Sequence, residues 1–100
     1  KASGITLYYV RPRDYNISDD TWMGPALKLV TIYRDIIPLI GEHIYPPPYT
    51  RGALEEYDPK NSELCVCRVI AKVHRWDYEM SSHIDIYVTA PLSPFDETAG

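Results

Sequence analysis

Along the chain, alternating apolar and polar runs are separated by segments rich in proline, glycine and acidic residues. The first run, "GITLYYV" from Gly4 to Val10, is rich in Ile, Thr, Tyr and Val, which suit a pleated, half-buried surface and predict a strand. "RPRDYNISDD" follows and carries the proline, asparagine and aspartates of a loop. From Ala26 onward the apolar residues are Ala26, Leu29, Val30, Ile32, Tyr33, Ile36 and Ile37, which at helical spacing fall on one arc, with Lys28, Thr31, Arg34 and Asp35 on the other. Asp19, Asp20 and Thr21 are cap residues, Pro25 suits a first turn, and Pro38 cannot continue a helix. The pattern therefore predicts an amphipathic helix over about Ala26 to Ile37.

Residues 45–62 contain four prolines, one glycine and several charges and read as a long irregular connector. Beyond it, "ELCVCRVIAKVHRW" (Glu63 to Trp76) alternates, with Cys65, Cys67, Val69, Ala71 and Val73 on one face. Leu64, Val66, Arg68, Ile70, Lys72, His74 and Trp76 share the other. "SHIDIYVTA" (Ser82 to Ala90) sets Ile84, Ile86, Val88 and Ala90 against His83, Asp85, Tyr87 and Thr89. With "DYEMS" as the turn, the two segments predict an antiparallel hairpin. Residues 91–100 read as a fraying tail.

The resulting order is strand, helix, long connector, strand, strand: one α+β domain over residues 1–100, with a single antiparallel sheet of about three strands under one main helix. The first strand then leaves an open edge, and an open edge invites pairing with a second copy of the chain.

Composition narrows the function classes. The chain has 100 residues, enough for one domain with its own core. Its formal net charge of −4 argues against non-specific nucleic-acid binding, which needs a basic surface, and against docking on anionic lipid. No apolar run is long enough for a membrane span. A chain that starts at Lys1 without a signal-peptide pattern reads as a fragment or processed product. Cys65 and Cys67 are too close on one strand face for an easy disulfide, so they read as small core residues of a protein in a reducing, cytoplasmic compartment. The triplet Asn16-Ile17-Ser18 fits an N-glycosylation pattern, a weak signal pointing the other way.

Titratable residues concentrate on the outer face of the hairpin. One register places His74 opposite His83 and Lys72 opposite Asp85. The next places His74 opposite Asp85 and Trp76 opposite His83. The first suggests two imidazoles about a metal and the second a His–Asp pair for proton transfer, although ordinary cross-strand polar pairs explain both. The cysteines face the other way and cannot converge with these histidines, so neither a zinc site nor a Cys–His nucleophile is expected. No glycine-rich phosphate loop occurs. No metal, cofactor or enzymatic activity is expected.

Nine tyrosines are many for this length, and Tyr15, Tyr45, Tyr49 and Tyr57 fall in predicted loops, where large rigid side chains suit recognition. Two of them flank the prolines of "HIYPPPYTRG". Pro46-Pro47-Pro48-Tyr49 resembles the PPxY ligand motif of WW domains, and the same core is similar to the late-budding motif of enveloped-virus matrix and Gag proteins. The likeness covers four residues. Consecutive prolines favour a polyproline II helix before any partner arrives. By this resemblance Pro46 and Pro47 dock in an aromatic groove, Tyr49 anchors specificity and Pro48 holds the permissive position.

Two function classes compete with enzymes ranked last. The first is a non-enzymatic interaction or assembly domain recruiting a WW-domain protein through an exposed PPPY loop, with a viral matrix-like structural protein as its specific version. The second is a small-molecule-binding domain with a pocket between helix and sheet, lined by Tyr33, Trp22 and the small strand residues.

Overall fold

A computed structural model describes residues 3–61, 66–75 and 83–90. The fold is mostly strands, a five-stranded mixed half-barrel sheet plus a two-stranded one, and this overturns the expected α+β arrangement of three strands under a long helix. The strands are β1 (Ser3–Val10), β2 (Tyr15–Asn16), β3 (Thr21–Trp22), β4 (Leu27–Arg34), β5 (His43–Ile44), β6 (Cys67–His74) and β7 (His83–Thr89). The large sheet has the order β4-β1-β7-β6-β5, and β2 pairs with β3. β1 runs parallel to β7 and antiparallel to β4, so it lies inside the sheet. The expectation that the first strand leaves an edge is therefore also corrected: β4 and β5 are the outer strands among the described residues.

The segment expected to be the main helix is β4. Its registry explains the misleading pattern. Val30 stands opposite Leu7 and Lys28 opposite Tyr8, so Leu29 is an extra residue in a β-bulge. A strand interrupted by one bulge spaces its apolar residues as Leu27, Leu29-Val30 and Ile32, which imitates the three-and-four spacing of a helix. The β-branched content of "LVTI" is satisfied by the strand. Upstream, the proposed caps instead form the β2–β3 hairpin, with Asp20 at φ 55° and its carboxylate accepting from the Tyr15 hydroxyl at 2.6 Å.

The helix lies where a structureless connector was expected. A 3-10 turn, Pro48–Thr50, leads directly into α1, Arg51–Tyr57. "ALEE" consists of good helix formers, and Pro48 at the entry loses no hydrogen bond that a helix start would make. A second 3-10 turn, Pro59–Asn61, follows. The Tyr9 hydroxyl donates to Asp58 Oδ2 at 2.7 Å, which ties the end of α1 to β1, an interior strand.

The core lies on one face of the sheet. Ile5, Leu7 and Tyr9 of β1 line up with Ile84, Ile86 and Val88 of β7, joined by Cys67, Val69 and Ala90. Leu54 and Tyr57 of α1 pack against this face together with Ile37 and Ile44. The hairpin of β6 and β7 forms as expected, but a second bulge corrects its face assignment. Val69 stands opposite Val88, Ala71 opposite Tyr87 and Val73 opposite Asp85, with Ile70 as the extra residue. Cys67 and Val69 are therefore in the core, whereas Ala71 and Val73 turn to the opposite face, and Val73 is 47% exposed. Cys65, Trp76, the "DYEMS" turn and the expected tail at 91–100 lie outside the described residues.

Candidate functional site

The PPPY segment lies on the surface between β5 and α1. Backbone dihedrals of φ −54° and ψ 139° keep Pro47 extended in polyproline II fashion. The extension stops there, because Pro48 already belongs to the 3-10 turn. The turn is pinned by Thr50, whose N–H and hydroxyl both donate to the Pro47 carbonyl, at 2.9 and 2.7 Å. Pro46 and Pro47 are half-buried, Pro48 is exposed, and the Tyr49 side chain is 72% exposed. Tyr45 is exposed as well.

The same prolines form one wall of an open groove of about 1190 Å³. Ile5, Leu7 and Ile32 form its floor, with Ile36, Ile44 and Leu54 around it. This is larger than the several hundred cubic ångströms of an ordinary small-molecule pocket, and it is predominantly apolar. Among the described residues, charged groups enter only through Arg34, Asp35 and Arg51. Arg51 is engaged by Glu55 at 3.6 Å. Of the residues expected to line a pocket, Tyr33 borders this groove. Trp22 does not; its ring packs on Tyr87, with centroids 4.9 Å apart. From the apolar run "IIPLI" (Ile36 to Ile40), Ile36 and Pro38 border the groove, while the exposed Leu39 and Ile40 lie outside its lining. The chain turns back there at Gly41, whose φ of 95° suits glycine, and the Glu42 N–H donates to the Leu39 carbonyl at 3.0 Å.

The second site foreseen from the sequence is rearranged by the bulge at Ile70. His74 stands opposite Ile84, on the opposite side of the sheet from His83, so neither the His–His nor the His74–Asp85 pairing forms. His83 joins a different row. Its Nε2 lies 2.7 Å from Thr6 Oγ1, which is 3.1 Å from Thr31 Oγ1. The imidazole sits above Gly4, where a Cβ would come within 2.8 Å of Nδ1. Asp85 Oδ2 accepts from Arg75 Nε at 3.2 Å, and that pairing raises the pKa of the guanidinium. Among the described residues, Asp85 Oδ1 is buried without a hydrogen-bond partner, and His83 Nε2, at 3.6 Å, is too far to serve as one. Burial first, and the Asp85 charge second, raise the pKa of the neighbouring Tyr87 phenol, whose ring stacks on Tyr8 at 5.0 Å.

Chemically this row is not a nucleophilic triad. A triad needs the hydroxyl on one imidazole nitrogen and the carboxylate on the other. Here both approach Nε2, and Thr6 is buried. The row reads as a polar strap across three strands. Thr6 and Thr31 were missed in the sequence because their meeting with His83 depends on β1 pairing with both β4 and β7, and Arg75 because the bulge at Ile70 shifts the hairpin register. Among the described residues, no group of three or more His, Cys, Asp or Glu side chains is arranged to hold a metal ion. Among them, too, no helix is long and apolar enough to cross a membrane. Comparisons with protein-family models, curated proteins and solved structures find no match to this chain.

Proposed function

We propose that this domain is a non-enzymatic protein-interaction module whose Pro46-Pro47-Pro48-Tyr49 segment is read by a WW-domain protein. The observation that carries the reading is the exposure of the Tyr49 ring, 72%, in a surface turn that directly follows the extended Pro47. An aromatic ring held in solvent costs hydrophobic free energy and contributes little to its own fold, so a partner that buries it gains most of its apolar area. The reading carries a cytoplasmic location with it, where Cys67 stays reduced. Its assembly version, a matrix-like body, adds self-association, for which β4 is the longer outer strand.

Titration with a PPxY-binding WW domain tests the reading. A dissociation constant on the order of micromolar is expected, since a short motif buries little area. Tyr49→Ala should abolish binding and leave the melting temperature nearly unchanged. Loss of folding in Tyr49→Ala, or undiminished binding, would contradict the proposal.

A second reading is favoured by the groove of about 1190 Å³: an apolar small molecule held between the sheet and the 35–54 segment. The helix bordering it is α1, in place of the one expected at Ala26 to Ile37. An environment-sensitive apolar dye should brighten on binding, and Ile32→Arg, which puts a charge on the groove floor, should abolish that response.

A further inference from the structure

The two recognition elements of the motif do not point the same way. A continuous polyproline II helix has three residues per turn, so Pro46 and Tyr49 would project from the same edge. In the fold, Pro46, Pro47 and Pro48 all line the groove, whereas Tyr49 is not among its walls. The 3-10 turn that begins at Pro48 separates them. Three hydrogen bonds hold this turn: the Thr50 N–H and hydroxyl donate to the Pro47 carbonyl, and the Arg51 N–H donates to the Pro48 carbonyl. A polyproline II ligand leaves its backbone carbonyls free of internal hydrogen bonds. Thr50 itself is 3% exposed, so its hydroxyl has little access to water as an alternative partner.

We infer that Thr50 is a latch that keeps the PPPY segment in a closed turn, and that a WW domain binds the open, extended form. The inference rests on the recruitment reading given above. In the closed form the prolines rest against the groove while the tyrosine ring waits in solvent. Opening releases the carbonyls of Pro47 and Pro48 and brings Pro46 and Tyr49 to one edge. The apparent affinity is lowered by the fraction of molecules that are open. A latch with the net worth of one or two hydrogen bonds lowers it about tenfold or more.

The test compares one WW domain binding to the intact protein and to a synthetic peptide of residues 43–52, which has no fold to hold it closed. The peptide should bind about tenfold tighter. Thr50→Val, which keeps the branched shape and loses the hydroxyl, should close much of that gap, while Thr50→Ser should not. Hydrogen exchange gives a readout that needs no substitution: the Thr50 amide should be protected in the unbound protein and lose protection when the WW domain saturates it. Equal affinities for protein and peptide, with the Thr50 amide still protected in the complex, would overturn the latch while leaving recruitment intact. A peptide that does not bind at all would overturn recruitment and the latch together.

Discussion

At the scale of single residues, Gly4 and Tyr9 show how one side chain sets its surroundings. Gly4 leaves space for the His83 ring, and an added Cβ would stand 2.8 Å from Nδ1 and 3.3 Å from the Tyr33 ring. His83 cannot swing aside without leaving Thr6, which it meets at 2.7 Å. Gly4→Ala should therefore destabilise the fold by about 1–3 kcal/mol, as overpacking does. In a His83→Ala background most of that cost should vanish, and a denaturant double-mutant cycle checks the coupling. Tyr9 is buried and donates to Asp58; burial first, and that hydrogen bond second, push its phenol far above the usual 10.0. In the unfolded chain the phenol ionises near its ordinary value, whereas in the fold it stays neutral. Above about pH 10 the unfolded state therefore binds fewer protons, and stability falls as pH rises; below that value the contribution is fully present. Tyr15 and Tyr87 are raised in the same direction and add to the fall. Tyr9→Phe should flatten the decline of stability between neutral and strongly alkaline pH, as measured by urea unfolding at stepped pH values.

At the scale of elements, two single-residue bulges decide what was readable. Before the bulge at Ile70, the alternation of β6 holds, with Cys67 and Val69 in the core. After it, each residue faces the side opposite to the one its parity implies. Val69→Asp should cost several kcal/mol, because it buries an unpaired charge. Val73→Thr, four residues along the same sequence alternation, should change stability by no more than about 0.5 kcal/mol. Equal effects at both positions would remove the bulge from the explanation. β1 was legible from its β-branched and aromatic content, and β6, β7 and the buried set Ile84, Ile86, Val88 and Ala90 because period-two alternation is a local property. β4 was not, because the bulge at Leu29 converts that alternation into a helix-like spacing. α1 was hidden for the opposite reason: the prolines on either side of "RGALEEY" suggested a connector and outweighed its helix propensity. The polar row of Thr31, Thr6 and His83 depends on strand order, which no local pattern encodes.

At the scale of the whole molecule, the sheet, α1 and the 35–54 segment form one surface with an apolar groove, a rim of exposed Ile36 and Tyr45, and Pro46, Pro47 and Pro48 along one side, with the exposed Tyr49 ring outside it. The motif itself was plain in the sequence, since it needs only four adjacent residues. Its setting was not, because the placement of the prolines along the same groove as Ile5 and Leu7 arises from tertiary packing. Amide shift mapping of the isotope-labelled protein during titration with a WW domain addresses the recruitment reading most directly. The largest changes should fall at Tyr45, Tyr49, Thr50 and Arg51 and saturate at micromolar concentrations, and Tyr49→Ala should erase them. Changes centred on β4 or on the Trp22–Tyr87 face, or none at all in a folded protein, would contradict recruitment through this segment.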